Sequence, residues 1–492
     1  MKTKWTVLVG LVASATFVVA GTAYSAPGAE QGPSSSQDPY LVRTRPGIVT
    51  ESVLTTGDSV GGYRMVGIPD GLGAYDNGDG TFTALMNHEI PPTLGVARAH
   101  GAKGAFVSKW VVDKDTLAVL QGEDLIRKVF HWTGTQWEQI PSGDPALTFS
   151  RLCSADLPDV SAYFDAASGL GTQERIFMDG EETGAEGRAL GNVVTGPDAG
   201  NTYLLPWLGK FSWENVVAKP GAGTRTVVVG LDDSGGGQVY VYVGDKKATG
   251  NDVDKAGLTG GQLYGLKIDG VAAGGPGSEN DATSVPGGGA RFSLVPLGDV
   301  SGLTGAQLEA NSVAAGVSGF NRPEDGSWDL SDPANFYFAT TASFEGISRL
   351  WKLRFDDPSN VLAGGRATIA VASPPAGQGG PRMLDNLTVN NHGQVIFLED
   401  VGGNPYLGGV YQYDPETGGL ARIAEHDPAR FVAGGPGFLT ENEEASGVIP
   451  APFLGNGKYL IDVQNHAASP DAELVEGGQL LVLQIPPGKP LR

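Results

Sequence analysis

An all-β architecture of the propeller kind is what this sequence predicts, on three observations. Short runs of β-branched and aromatic residues recur along the chain, as in Gln238-Val239-Tyr240-Val241-Tyr242-Val243 and Phe336-Tyr337-Phe338-Ala339-Thr340, a composition that suits a pleated, buried surface. Glycine (75 of 492 residues) and proline (32) fall between these runs at turn spacing, without the strict period of a collagen. Long amphipathic helices are scarce, and Leu303–Ala314 is the best candidate.

The strands come in pairs. Thr226-Val227-Val228-Val229 leads to Gln238–Tyr242, Phe336–Thr341 to Arg349-Leu350-Trp351-Lys352-Leu353, and Gln394–Leu398 to Gly409–Tyr413. Repeated hairpins of this form suit propeller blades, each of which needs its neighbours to cover both sheet faces. The repeat has no fixed period, so a large β-sandwich is the alternative. Asp76-Asn77-Gly78-Asp79-Gly80-Thr81 lacks the ligand spacing of an EF-hand and reads as a hairpin turn. Gly274–Gly289 and Pro374–Pro381 read as loops, and neither divides the chain. Residues 42–492 are therefore expected to form a single propeller-like domain.

The first residues, Met1-Lys2-Thr3-Lys4, precede an apolar stretch from Trp5 to Ala20 and then Ala23-Tyr24-Ser25-Ala26. A basic head, an apolar run and small residues describe a secretory signal peptide over 1–26, with a flexible Pro/Ser leader over 27–41. The run is short for a bilayer span of roughly 20 residues. No twin-arginine pair is present and no later segment is long and apolar enough to span, so the expectation is a secreted or cell-envelope protein, monomeric, with no membrane span after cleavage. The lone cysteine, Cys153, excludes a disulfide framework within the chain. A net charge of −22 excludes nucleic acid as a partner, which needs basic surface to neutralise phosphates.

The charge excess has a bland explanation, a solvated acidic surface, and a specific one, metal ligation. Acids cluster at strand ends beside Gly, Pro or Asn: Asn87-His88-Glu89, Gly180-Glu181-Glu182, Trp213-Glu214-Asn215, Asp232-Asp233-Ser234, Arg322-Pro323-Glu324-Asp325, Asp385-Asn386 and Glu441-Asn442-Glu443-Glu444. Hard cations such as calcium take about six to eight oxygen ligands, and adjacent acids are most easily reconciled by a cation beside them. Each pair alone also reads as a solvated turn. Strand alternation places Glu214 opposite Trp213, on the face of Ser212 and Val216, where an uncompensated carboxylate is costly. Cys153 is either a buried inert thiol or a metal-bound thiolate, and a thiolate favours iron or zinc over calcium.

The order of these motifs resembles the PhoX-type alkaline phosphatases, exported bacterial proteins once grouped as a domain of unknown function. The likeness runs from about Val66 to His466. Asn87-His88-Glu89 looks like an early Asn-His-Glu element of that family. Gly180-Glu181-Glu182 is similar to its Cys-Glu-Glu segment, with glycine where cysteine is frequent. Gly209-Lys210-Phe211-Ser212-Trp213-Glu214 is similar to a strand that supplies a metal-binding Glu, and Arg322-Pro323-Glu324 to a motif whose Arg meets phosphate. Asp385-Asn386-Leu387, Glu444-Ala445-Ser446-Gly447 and Asp462-Val463-Gln464-Asn465-His466 follow in the same order. The resemblance implies a propeller carrying calcium and an iron pair, with Cys153 the residue available as the iron-binding cysteine.

The combined expectation is a metal-dependent phosphatase acting on small-molecule phosphate esters. Its metal ligands are drawn from Cys153, Glu181, Glu182, Glu214, Asp232, Asp233, Glu324, Asp385, Glu443 and Glu444, and Arg322 is the phosphate clamp. Two alternatives stand beside it: a non-catalytic calcium-stabilised propeller that binds a partner or surface, and a calcium-dependent hydrolase of lactones or other esters.

Overall fold

The computed structural model of the chain describes residues 28–274, 279, 285, 289–374 and 377–486. The expected signal peptide lies outside these residues, as does most of the Gly274–Gly289 stretch. Among the described residues the strands form six blades around one axis, antiparallel except at the outer edges of the second and sixth. Their innermost strands are Pro69–Asp76, Leu152–Asp156, Trp213–Ala218, Pro323–Trp328, Leu384–Val389 and Glu443–Pro450, each touching the next, with the sixth returning to the first. Their second strands are Thr81–His88, Ile176–Glu181, Arg225–Asp232, Asn335–Thr340, Val395–Glu399 and Lys458–Asn465. The strand Ala290–Gly298 joins the outer edges of the third and fourth blades, so these two run on as a nine-stranded sheet.

Hydrophobic clusters fill the spaces between successive blades. Met178, Trp213 and Tyr240 meet between the second and third, Val229, Phe336 and Trp351 between the third and fourth, and Phe82, Trp110 and Leu480 between the sixth and first. A blade covered on both faces has no solvent side, which is why runs such as Val239–Val243 are apolar almost without alternation. The predicted hairpins all form, and Asn77–Gly80 closes the turn of the first blade. The predicted helix spans Gly305–Ala315, started by a Thr304–Gln307 capping box. No helix among the described residues is long and apolar enough to cross a membrane.

The leader departs from expectation. Residues 28–41 are not free: Ala29–Gln31 pairs in parallel with Val49–Thr55. Gln479 accepts from the Tyr40 amide at 2.7 Å and donates to the Asp38 carbonyl at 3.1 Å. The physical reason is edge protection. The sixth blade takes its outer strand, Val49–Thr55, from the chain's beginning and pairs it with Gly477–Gln484 from its end, and the leader then covers that edge.

This closure generates a prediction. Removing residues up to Thr55 strips the partner of Gly477–Gln484 and opens the ring. Calorimetry of the truncated chain should show a lower and broader transition than the intact protein. An unchanged single transition would show that the ring does not depend on this strand.

Candidate metal and anion site

The six blades repeat one local construction at the end of the axis where the inner strands begin. In every blade, the residue following the second strand donates its amide to the carbonyl of the residue preceding the inner strand. The pairs are Glu89 to Ile68, Glu182 to Arg151, Asp233 to Ser212, Thr341 to Arg322, Asp400 to Met383 and His466 to Asn442, at 2.8–3.2 Å. Just beyond this clip each inner strand bulges, with the register shifting between Pro69 and Leu72, Leu152 and Ala155, Trp213 and Asn215, Pro323 and Gly326, Leu384 and Leu387, and Ala445 and Val448. Bulges re-aim side chains locally.

The result is concentric rings of side chains around a cavity of about 220 Å³. The second residue of each inner strand lines it: Asp70, Cys153, Glu214, Glu324, Asp385 and Glu444. So do Glu89, Glu182, Asp233, Asp400 and His466, the residues that follow the second strands, with Thr341 the exception. From the positions preceding the inner strands come Arg151, Arg322 and Asn442. The structure therefore brings together Cys153, Glu182, Glu214, Asp233, Glu324, Asp385, Glu444 and Arg322.

Glu181, Asp232 and Glu443 are not among them, and all three expectations fail for one reason. Each is the neighbour of a residue that does enter the cavity, and successive side chains of a strand point to opposite faces. Glu181 ion-pairs with Arg188 (Nη2 at 2.8 Å) and accepts from the Ser150 amide. Asp232 accepts from the Ser212 amide at 3.2 Å, and Glu443 accepts from the Gly408 amide and faces His426. An adjacent acid pair thus splits between the site and the blade interior instead of sharing a cation. Glu214 does oppose Trp213, but the bulge returns Val216 to the Trp213 face, where both join one core cluster.

The sequence motifs do not single out Asp70, Asp400 or Arg151, and they contain Glu89, Asn442 and His466 without giving them a role. A signal for Asp70 exists: Ile68-Pro69-Asp70-Gly71 repeats the form of Arg322-Pro323-Glu324-Asp325.

Nine carboxylates, one thiol and three cationic side chains line the cavity, leaving six negative charges uncompensated if all the acids ionise. Burial, reinforced by neighbouring carboxylates, pushes Asp70, Glu214, Glu324 and Asp385 well above the usual carboxylate range. It lifts Glu182 and Asp400 to about 7, and raises the Cys153 thiol in the same way. Glu444 is the exception: burial pushes it up, but His466 and Ser446 together outweigh that and hold it low. His466 pays the same burial penalty, yet Glu444 and Glu476 keep it protonated up to about 10.

The donor set fits metal ions. Three overlapping groups, Asp70–Glu89–Cys153, Cys153–Glu182–Glu214 and Glu214–Asp233–Glu324, each place their ligand atoms within 4.8 Å of one another. Asp70 Oδ1 is buried without a hydrogen-bond partner, which leaves that oxygen available as a ligand atom. The ligands are also held from behind. Asn386 donates to the Ser154 hydroxyl at 2.6 Å, and that hydroxyl donates to Glu214 Oε1 at 2.5 Å. Gln464 donates to Asp70 Oδ2 and Glu89 Oε2.

No known protein family and no curated protein matches the sequence. Among solved structures the fold is similar to that of Pseudomonas fluorescens PhoX in complex with vanadate, a transition state analogue. The TM-score is 0.59, with 14% identity over 90% of this chain and 96% of that one. A gluconolactonase, XC5397 from Xanthomonas campestris (TM-score 0.30, 12% identity, 90% and 100% of the two chains), and the NanB sialidase of Streptococcus pneumoniae (0.39, 9%, 88% and 70%) are similar at scores too low to support an argument. The PhoX likeness is one of fold.

The site makes the metal-free protein sensitive to pH. A carboxyl whose native pKa is raised keeps its proton after the unfolded chain has lost it, so its contribution is greatest below the ordinary carboxyl range near 4 and declines as pH rises towards 7. His466, raised to about 10, is fully stabilising below its ordinary value near 6.5 and also loses its contribution on the alkaline side. Thermal unfolding of chelator-treated protein should therefore give a Tm that falls between about pH 5 and about pH 8, a span that lies within these windows. Added calcium should raise Tm more at pH 8 than at pH 5; an equal or reversed effect would show that these acids do not meet the ion.

Proposed function

We propose that this chain is an exported, metal-dependent phosphatase that hydrolyses small-molecule phosphate esters. The observation that carries the reading is the convergence of nine carboxylates, a thiol and two arginines from six blades on one cavity. It is supported by the likeness in fold to a protein whose solved structure holds vanadate, a transition state analogue.

Glu214, Asp233 and Glu324 offer oxygen ligands and suit calcium. The two groups that contain Cys153 add a soft ligand and suit an ion such as iron. When bound, such cations supply charge neutralisation and Lewis acidity towards phosphoryl oxygens. The remaining work falls to the protein's own groups. Arg322 is fixed in plane by a two-point contact with Asp233, Nε at 2.7 Å and Nη2 at 2.9 Å, and Nη2 lies 3.3 Å from Glu324. Its side chain is 36% exposed while its partners are buried, so the fork has a face left for an oxyanion. Without bound cations the acids would repel a phosphate, which makes metal loading a condition for substrate entry as well as for chemistry.

p-Nitrophenyl phosphate tests the reading. Turnover should be abolished by EDTA and restored by calcium, alone or with iron. Arg322→Ala should lower kcat/KM by roughly 100-fold, the scale of losing a charge-assisted contact in a desolvated site, while keeping its metal content. Full turnover in chelator would end the metal mechanism, and unchanged kinetics in the variant would remove Arg322 from the site.

A further inference from the structure

Arg151 and Arg322 occupy the same position in the second and fourth blades, the residue before the inner strand. Both adopt a left-handed backbone conformation, with φ of 46° and 59°, which costs a non-glycine residue roughly 1 kcal/mol or more. In both, the carbonyl accepts the blade's clip, from the Glu182 and Thr341 amides. Each guanidinium bridges the preceding blade to its own. Arg151 meets Glu89 at 2.8 Å and Glu182 through Nε and Nη2, and Arg322 meets Asp233 through the same two nitrogens and Glu324. Among the described residues neither Nη1 has a hydrogen-bond partner. These two side chains are 47% and 36% exposed, whereas Glu89, Glu182, Asp233 and Glu324 lie between 2% and 13%.

The third blade lies between them and contributes Glu214, which like Cys153 belongs to two of the three candidate metal groups. Arg151 and Arg322 line the same cavity as Glu214, from the blades before and after it. We infer that Arg151 is a second anion-binding arm of the site, the counterpart of Arg322, so that a phosphoryl group is gripped from two blades. Ile68 and Met383 hold the same left-handed conformation at the equivalent positions of the first and fifth blades, with φ of 52° and 44°, so that conformation belongs to the clip. What points to a ligand is that two of these equivalent positions carry arginines that line the same cavity and keep an exposed face. A structural ion pair would not need the exposed face. The inference rests on the phosphatase reading and adds a contact that the sequence motifs did not suggest.

The test is calorimetric titration of metal-loaded protein with inorganic phosphate, comparing Arg151→Gln, Arg151→Lys and Arg322→Gln with the parent. Metal content and Tm are measured on each. Arg151→Gln should weaken phosphate binding roughly 10- to 100-fold, the scale of a hydrogen bond to a charged group, with Arg151→Lys between it and the parent. If Arg322→Gln weakens binding and both Arg151 variants leave it unchanged, the second arm is overturned while the phosphatase reading stands. If the parent binds no phosphate, both fail together. If Arg151→Gln instead takes up an additional metal ion at unaltered phosphate affinity, Arg151 is a resident cation standing in for a metal, and the inference is overturned on that ground. Should Arg151→Gln lose metal or fold poorly, Arg151→Lys decides alone: it retains the charge and loses the fork, and parent-like affinity in it would overturn the two-point contact.

Discussion

The amide-to-carbonyl clip across the cavity end of each blade is the interaction on which the site depends. A buried backbone hydrogen bond contributes only about 1 kcal/mol net, but losing it strands two polar groups. Six of them, at equivalent positions, fix how far each second strand reaches relative to its inner strand. That fixes which residue follows the strand into the cavity and which stays behind. With the bulge immediately beyond the clip, it also turns the second residue of each inner strand towards the axis. The composition of the site is therefore a matter of register. Glu182, Asp233 and Glu444 enter because of where the clip falls, and Glu181, Asp232 and Glu443 are excluded by the same count.

Gathering so many acids opposes folding, and the scaffold that tolerates it is apolar. Each blade buries both faces in clusters of Trp, Phe, Tyr and aliphatic residues shared with its neighbours. The ring is then closed by pairing the two ends of the chain. A closed ring cannot relieve repulsion at its centre by splaying one blade without breaking contacts on both sides of it. The repulsion is instead met locally, by Arg151, Arg322 and His466 and by protons retained on buried carboxyls.

Much of this was legible in the sequence, and the limits have physical causes. The hairpins were readable because a blade buried on both faces writes continuous apolar strands between Gly-rich turns. The acids beside those turns were readable because carboxylates at strand ends are where a propeller axis places them. The face of each acid was not readable. Alternation assigns faces only once the register is known, and here a bulge interrupts every inner strand, as the return of Val216 to the Trp213 face shows. Asp70 and Asp400 were missed for a related reason. Asp70 stands alone among uncharged residues and Asp400 follows Glu399 at the end of a strand, and the role of each appears only when six strands are superposed around an axis. The leader, read as flexible from its composition, was ordered by a sheet edge contributed from the other end of the chain.

The bulge has a second consequence, on the far side of the ring. Beyond the cavity-lining residues, the next positions of the inner strands, Ser154, Asn215, Asp325 and Asn386, turn across the axis and bond to one another. Asn386 donates to Ser154, Asn215 to Asp325, and the Leu387 amide to the other Asp325 oxygen. This polar layer separates the acidic cavity from a larger one of about 470 Å³ at the opposite mouth, lined by Leu72, Trp328, Pro450 and Phe453 among others. Through Ser154 the layer also holds Glu214 from beneath. Arg151 and Arg322, with side chains 47% and 36% exposed, stand among the acids that line the acidic cavity, so an anion entering there meets groups of opposite charge.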